Sequence, residues 1–356
     1  MVQTVARRRE YLDWLRGMAV LIMIEAHTLD AWTRPADRAS AAYAWAIIVG
    51  GMGAPLFLLL AGVSVALAAT SRTAAMGSDA AAAATVRRRG GRIFLYAFLF
   101  RLQAVVLSGS PLSSLLKVDI LNVMGLSIVG AALLWQAVGG WLARLLLFSA
   151  ATVTIAMTTP LVRASPWVQL LPDPIEWYFR PVPGRTNFTL FPWAGFLTAG
   201  AAVGVWLARS PAALGAGTTM ATLATVGLGM AAAGYAASYL PALYAQTNFW
   251  TSSPTFFFLR AGLLVLAIAM AWAWERLVRP AASSPLRVLG RESLFVYWIH
   301  VEMVYGFLTF PLHRRLPLPW AVAAFLAFTL LMLAVVGLKH RIEDRLRRRR
   351  VPTSTV

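Results

Sequence analysis

A chain of 356 residues that is 59% hydrophobic and only 13% charged, with a mean hydropathy of +0.67, requires lipid as its solvent and excludes an ordinary soluble domain. Its formal charge of +18, from 32 Lys and Arg against 14 Asp and Glu, gathers between apolar runs and at the C-terminal tail, as topology-setting charge does, which excludes nucleic acid as a partner. With no cysteine, disulfides, thiolate catalysis and Cys-ligated zinc are excluded as well.

Apolar runs of spanning length fall at 12–31, 45–69, 92–108, 119–138, 143–162, 188–208, 217–240, 255–275, 288–307 and 319–338. They predict an all-α polytopic membrane bundle of about ten transmembrane helices, with 1–356 as a single domain. The first run follows Arg7, Arg8 and Arg9 but carries Glu25 and His27 and lacks a small-residue cleavage site, so it reads as a retained helix and not a signal peptide. The Ala-rich stretch 74–85 reads as a flexible loop or a helical extension. Segment 163–187, with five prolines and with Trp167, Trp177, Tyr178 and Phe179, reads as a loop on the outer membrane surface that can cover a site. No internal repeat is evident, which argues against an inverted-repeat transporter. With the first helix starting inside, the inner segments hold 19 basic residues and the outer ones eight, so both termini are expected in the cytoplasm, in a bacterial inner (plasma) membrane.

Charged groups inside a spanning helix cost at least about 2.5–3.5 kcal/mol each, which makes them functional candidates. They are Asp13, Arg16, Glu25 and His27 on the first run, Arg101 on the third, Asp119 with Asn122 on the fourth, Arg260 on the eighth, and Arg291, Glu292, His300 and Glu302 on the ninth. Asp13, Arg16 and His27 share one helical face, since eleven residues is close to three turns. Asp13 and Arg16 suit either an anchoring ion pair or a ligand site. His27 lies roughly 16 Å beyond Arg16, and His300 reaches a similar depth on its own helix. The two histidines are therefore expected to face one cavity in the outer half of the membrane, with at least one of Glu25, Arg101, Asp119, Asn122 and Arg260. No HExxH or clustered ligand spacing exists, so no metal is expected, and no glycine-rich phosphate loop or GxSxG stands in a suitable context.

The opening REYLDWLRGMAVLIMIEAHTLDAW (9–32) resembles the first helix of the heparan-α-glucosaminide N-acetyltransferase catalytic family, within the wider transmembrane acyltransferase group. GGMGAPLFLLLAGVSVALA (50–68), DILNVMGLSIVGAALL (119–134), LFPWAGFLTAGAAVG (190–204), TSSPTFFFLRAGLLVLA (251–267) and LGRESLFVYWIHVEMVYG (289–306) follow the family's order. The resemblance implies transfer of an acetyl or other acyl group from cytoplasmic acetyl-CoA or another acyl-CoA to a hydroxyl or amine of a glycan-like or small-molecule acceptor near the outer face. Arg16 matches the family's D-x-x-R-G opening and, with Asp13, Arg287 and Arg291, is expected at the CoA phosphates; the 87–89 arginine run is read as topogenic charge. His27 stands where acyltransferase family three carries its candidate catalytic histidine. The lysosomal branch carries its histidine further on, in the loop after this helix, whereas this chain has none between His27 and His300.

An acyl thioester is already activated, so the chain needs chiefly a base for the acceptor and stabilisation of the developing oxyanion. His27 is expected as base with His300 in the same pocket, Asp119 or Glu25 as orienting group, and Asn122, Arg101 or Arg260 as stabilisers of negative charge. The competing reading is a non-enzymatic transporter or flippase with His27, His300 and Arg101 on its pathway, and behind that a scaffold in which the polar groups are helix glue. Membrane lipid is an expected partner, and a homo-oligomer is compatible with the chain.

Overall fold

In the computed structural model, which describes residues 9–108, 111–209, 216–278 and 284–350, each of the ten apolar runs lies on helix. Pairing outside helices is limited, among the described residues, to two isolated bridges, Thr33 with Leu316 and Val118 with Thr186. The all-α class therefore holds. Arg7, Arg8 and Arg279, which carry part of the topogenic charge, and the tail after Arg350 lie outside the described residues.

The chain begins with α1 (Glu10–Trp32) and α2 (Ala41–Gly50), whose first turn is capped by the Ser40 hydroxyl accepting from the Tyr43 amide at 3.2 Å. The run at 45–69 is interrupted by a glycine-flanked turn before α3 (Gly53–Met76). The Ala-rich stretch 74–85 is not a loop: α3 ends at Met76 and α4 (Asp79–Ser108) starts three residues later. Only Gly77, at φ +64°, and Ser78 turn the chain, because the left-handed conformation that ends a helix suits glycine best. Then follow α5 (Ile120–Ala137), α6 (Trp141–Ala164), α7 (Leu190–Ala208), α8 (Ala216–Ala237) and α9 (Pro254–Val278). The run at 288–307 differs from expectation. It breaks at Glu292 into α10 (Pro285–Arg291) and α11 (Ser293–Tyr305), and α12 (Leu318–Arg350) follows. Glu292 is held from outside its own helix, accepting from Lys339 Nζ at 2.7 Å and lying 3.0 Å from His340 Nε2 on α12.

Seven stretches among the described residues are long and apolar enough to cross a membrane, which makes this an integral membrane protein. They contain α2 with α3, α5, α6, α7, α8, α9 and α12. The remaining three runs are more polar or shorter: α1 has five Asp, Glu or Arg side chains besides His27, α4 an arginine cluster, and α11 has only 13 residues, about 20 Å against a hydrocarbon core of about 30 Å. The count of ten spans is thus not established by apolarity, although the polytopic bundle is.

The chain divides into two compact units, one from the segments up to Gly53 and from Val278 onward, the other from Ala54–Leu277. In the first, α1 is central and touches α2, α10, α11 and α12, with Leu29, Tyr43 and Ala321 as a buried cluster. In the second, α4 packs on α5 and α6 on α7. A Cβ at Gly62 would lie 1.9 Å from the Leu197 carbonyl oxygen, so α3 and α7 meet backbone to backbone, as small residues permit in lipid. A buried hydrogen bond of 2.8 Å between Thr152 and Thr198 ties α6 to α7. Segment 163–187 is more ordered than a surface loop. Trp177 is buried with Val118 and Val123, and Val118 donates to the Arg185 carbonyl while accepting from the Asn187 amide.

Candidate functional site

The polar candidates separate into three groups, two in the unit built from the chain's ends. At one end of α1, the helix meets α10 at glycines on both sides. A Cβ on Gly17 would stand 1.8 Å from the Leu286 carbonyl oxygen, and one on Gly290 would stand 1.9 Å from that of Asp13. This contact brings two α10 arginines beside α1. Arg287, buried at 4% exposure, lies 3.0 Å from Glu10, and Arg291 lies 3.7 Å from Asp13 Oδ2. Arg16 Nη1 donates to Asp13 Oδ1 at 2.9 Å, so the i,i+3 ion pair is present and Asp13 stands between two guanidiniums. Three arginines thus face two carboxylates among these contacts between described residues, a cationic surplus at one end of the unit.

About 16 Å along α1 from Arg16 lies the second group. His27 Nδ1 is 2.8 Å from Nε2 of His300, with the two rings nearly parallel at 8°, so residues 273 positions apart are brought together. His300 is fully buried and its Nδ1 lies 2.8 Å from the Val296 carbonyl oxygen one turn earlier on α11. A carbonyl only accepts, so His300 Nδ1 carries the proton and its Nε2 bears the lone pair. His27 Nδ1 must then be the donor, and the nitrogen left with the lone pair is Nε2 of His27. The Tyr305 ring meets that of His27 edge-on at 5.7 Å, and its hydroxyl donates to Asp30 Oδ2 at 3.2 Å. Tyr297 meets His300 edge-on at 5.9 Å. Neither tyrosine stands out in the sequence, because an apolar-looking aromatic at helical spacing reads as core.

Glu25 is not the group that orients His27. Residues two apart on a helix point to different sides, and Glu25 is turned toward α2, where a Cβ at Gly50 would come within 3.0 Å of its Oε2. That buried oxygen has no hydrogen-bond partner among the described residues. His313, further along, lies with Nε2 2.8 Å from the Val304 carbonyl oxygen and so closes the end of α11.

The third group lies in the middle unit. Asp119 caps α5, its Oδ1 accepting from the Ile120 amide at 2.7 Å, while Oδ2 is paired with Arg101. Asn122 completes a capping box by accepting from the Asp119 amide at 3.0 Å, and its Nδ2 lies 3.3 Å from the Tyr178 hydroxyl. Lys117, just before the cap, is held below the ordinary lysine range first by burial and then by the Arg101 charge. Arg260 on α9 sits among Trp193, Phe196 and Phe256, with ring centroids 5.8, 5.8 and 5.0 Å from its guanidinium carbon. Among the described residues no three His, Cys, Asp or Glu side chains converge on one point.

A family model described as heparan-alpha-glucosaminide N-acetyltransferase, catalytic, matches residues 8–229. Asp13, Arg16, Glu25, His27, Arg101, Asp119 and Asn122 fall inside that stretch, whereas Arg260, Arg287, Arg291 and His300 lie beyond it. No curated protein matches the chain.

Proposed function

Because the chain belongs to the heparan-alpha-glucosaminide N-acetyltransferase catalytic family, we propose that it moves an acetyl group from cytoplasmic acetyl-CoA, or another acyl group from its CoA thioester, to a hydroxyl or amine of a glycan-like acceptor near the outer face. The observation that carries this reading is the His27–His300 hydrogen bond, since it assigns the lone pair to one nitrogen of the His27 imidazole. A base must touch the proton it removes, and Nε2 of His27 is the candidate.

In the proposed step the acceptor oxygen or nitrogen attacks the thioester carbonyl carbon as its proton passes to His27 Nε2. The new C–O or C–N bond forms, the C–S bond breaks, and the imidazolium returns the proton to the leaving sulfur. His300 is a positioning residue: its Nε2 keeps His27 in the Nδ1–H tautomer and accepts a hydrogen bond from the transient imidazolium. The donor's phosphates would be held at the other end of α1, where Arg16, Arg287 and Arg291 outnumber Glu10 and Asp13 and guanidinium pairs with phosphate in bidentate geometry. No role in the step is assigned to Asp119, Asn122, Arg101 or Arg260.

Both termini are proposed to be cytoplasmic in a bacterial inner membrane, so a periplasm-active reporter fused after Val356 should stay silent. The central test incubates purified protein in lipid vesicles with radiolabelled acetyl-CoA and fractionated envelope glycans. Label should enter a glycan fraction with wild type, and His27→Ala should lower that transfer by about 10²–10⁴-fold while acetyl-CoA still binds. Undiminished transfer by a folded His27→Ala protein would overturn the assignment.

A further inference from the structure

Helix α4 carries Arg88, Arg89 and Arg92, which no step above uses. Its buried side includes Val86, Ala97 and Phe100, and Gly90 on that side is pressed against the Gly125 carbonyl of α5. The opposite side forms one outward stripe. Thr85, Arg88, Gly91, Arg92 and Leu95 line an open cavity of about 660 Å³. Below it Leu95, Leu99, Leu102 and Val106 continue at spacings of four, three and four residues, with 54, 43, 46 and 72% exposure. That spacing keeps them on one face of a helix.

Gly91 lines this notch and faces open space, since a Cβ there would meet nothing within 4 Å. Among the described residues Arg72, Arg88, Arg89 and Arg92 form no ion pair. Arg89 is pushed below the ordinary arginine value first by burial and then by the like charges of Arg72 and Arg92. Unneutralised guanidiniums at the head of an apolar stripe complement an amphiphile with an anionic head and a hydrocarbon tail. The stripe is long enough: Arg92 to Val106 is about 21 Å at about 1.5 Å per residue, against about 15 Å for half a hydrocarbon core.

We propose that this face of α4 binds an anionic phospholipid, its phosphate between Arg88 and Arg92 over Gly91 and an acyl chain along Leu95, Leu99 and Leu102. The arginine run is then a lipid-reading element as well as topogenic charge. Neither the histidine pair nor the donor site is needed for it.

The full chain is reconstituted in phosphatidylcholine vesicles with trace spin-labelled phosphatidylglycerol or spin-labelled phosphatidylcholine, and the immobilised fraction of each label is read. Wild type should retain the anionic label in preference. Arg88→Gln and Arg92→Gln should each lower the site's preference about fivefold. Gly91→Leu keeps every charge, suits a helix and fills the notch, and it should abolish the same component. An Arg345→Gln/Arg347→Gln variant, which removes two charges on α12, should leave it intact. An equal loss in that control, an unchanged preference in both α4 variants, or displacement of the label by added acetyl-CoA would overturn the assignment.

Discussion

In the unit built from the chain's ends, a histidine on α1 and a histidine on α11 spend a hydrogen bond on each other across helices, whereas in the middle unit Asp119 and Asn122 spend theirs on the start of their own helix. Both pairs look alike as letters in an apolar run. The difference is where the partners come from. A cap satisfies amides that every helix start leaves open, so it fits any helix and has no need of chemistry. A half-buried imidazole held by a buried one keeps one nitrogen basic, an arrangement that contributes little to a helix end and much to proton transfer.

The largest effect that sharpens this contrast is on the histidine side. Replacing His300 by Phe removes the acceptor that fixes the His27 tautomer, and displacement of a reacting group by about 1 Å can cost about 10²-fold in turnover. Its pH–rate profile should also move, which a purely structural loss would leave in place. An unshifted profile with full turnover would reduce the histidine pair to packing.

Next in size is the contact that brings α10 to α1. Gly17→Ala forces a Cβ into the Leu286 carbonyl, and overpacking of this kind costs about 1–3 kcal/mol. Thermal unfolding in detergent should show the loss, together with weaker acetyl-CoA binding. Gly130→Ala on α5, where nothing lies within 4 Å, should be neutral or stabilising by comparison.

On the capping side, Asp119→Ala should cost about 1 kcal/mol from the cap, with further loss from the orphaned Arg101, while leaving turnover per folded molecule unchanged. Abolished turnover in a protein of normal melting temperature would erase the distinction between the two units.

The smallest effect concerns a cap outside the spanning segments. Asp37 accepts from the Leu318 amide at 2.7 Å at the start of α12 and from Arg34 Nε at 2.9 Å, and these two bonds, the amide first, hold its carboxyl below the ordinary value. A depressed folded pKa means stability that is present above the unfolded value of about 3.9 and lost as pH falls through the folded one. Asp37→Asn should therefore flatten the melting temperature's fall on the acid side, measured between pH 5 and pH 3. An identical acid slope in the variant would remove Asp37 as its source.

Composition and the spacing of apolar runs were enough to determine an all-helical membrane chain, because a backbone in lipid must satisfy its amides internally and about 20 apolar residues are needed to cross. The periodicity of α1 likewise placed Asp13, Arg16 and His27 on one face, since that depends only on 3.6 residues per turn. Three-dimensional packing decided the rest. The sequence could not show that the ninth run breaks at Glu292, nor that the residue at the break is held by Lys339 and His340 on another helix. Nor could depth distinguish Asp119, consumed by its own cap and Arg101, from His300, whose ring reaches His27. Depth is a one-dimensional property, whereas a hydrogen bond between residues 273 positions apart depends on which helix faces which, and only the glycine-mediated approach of α10 and the packing of α11 against α1 determine that.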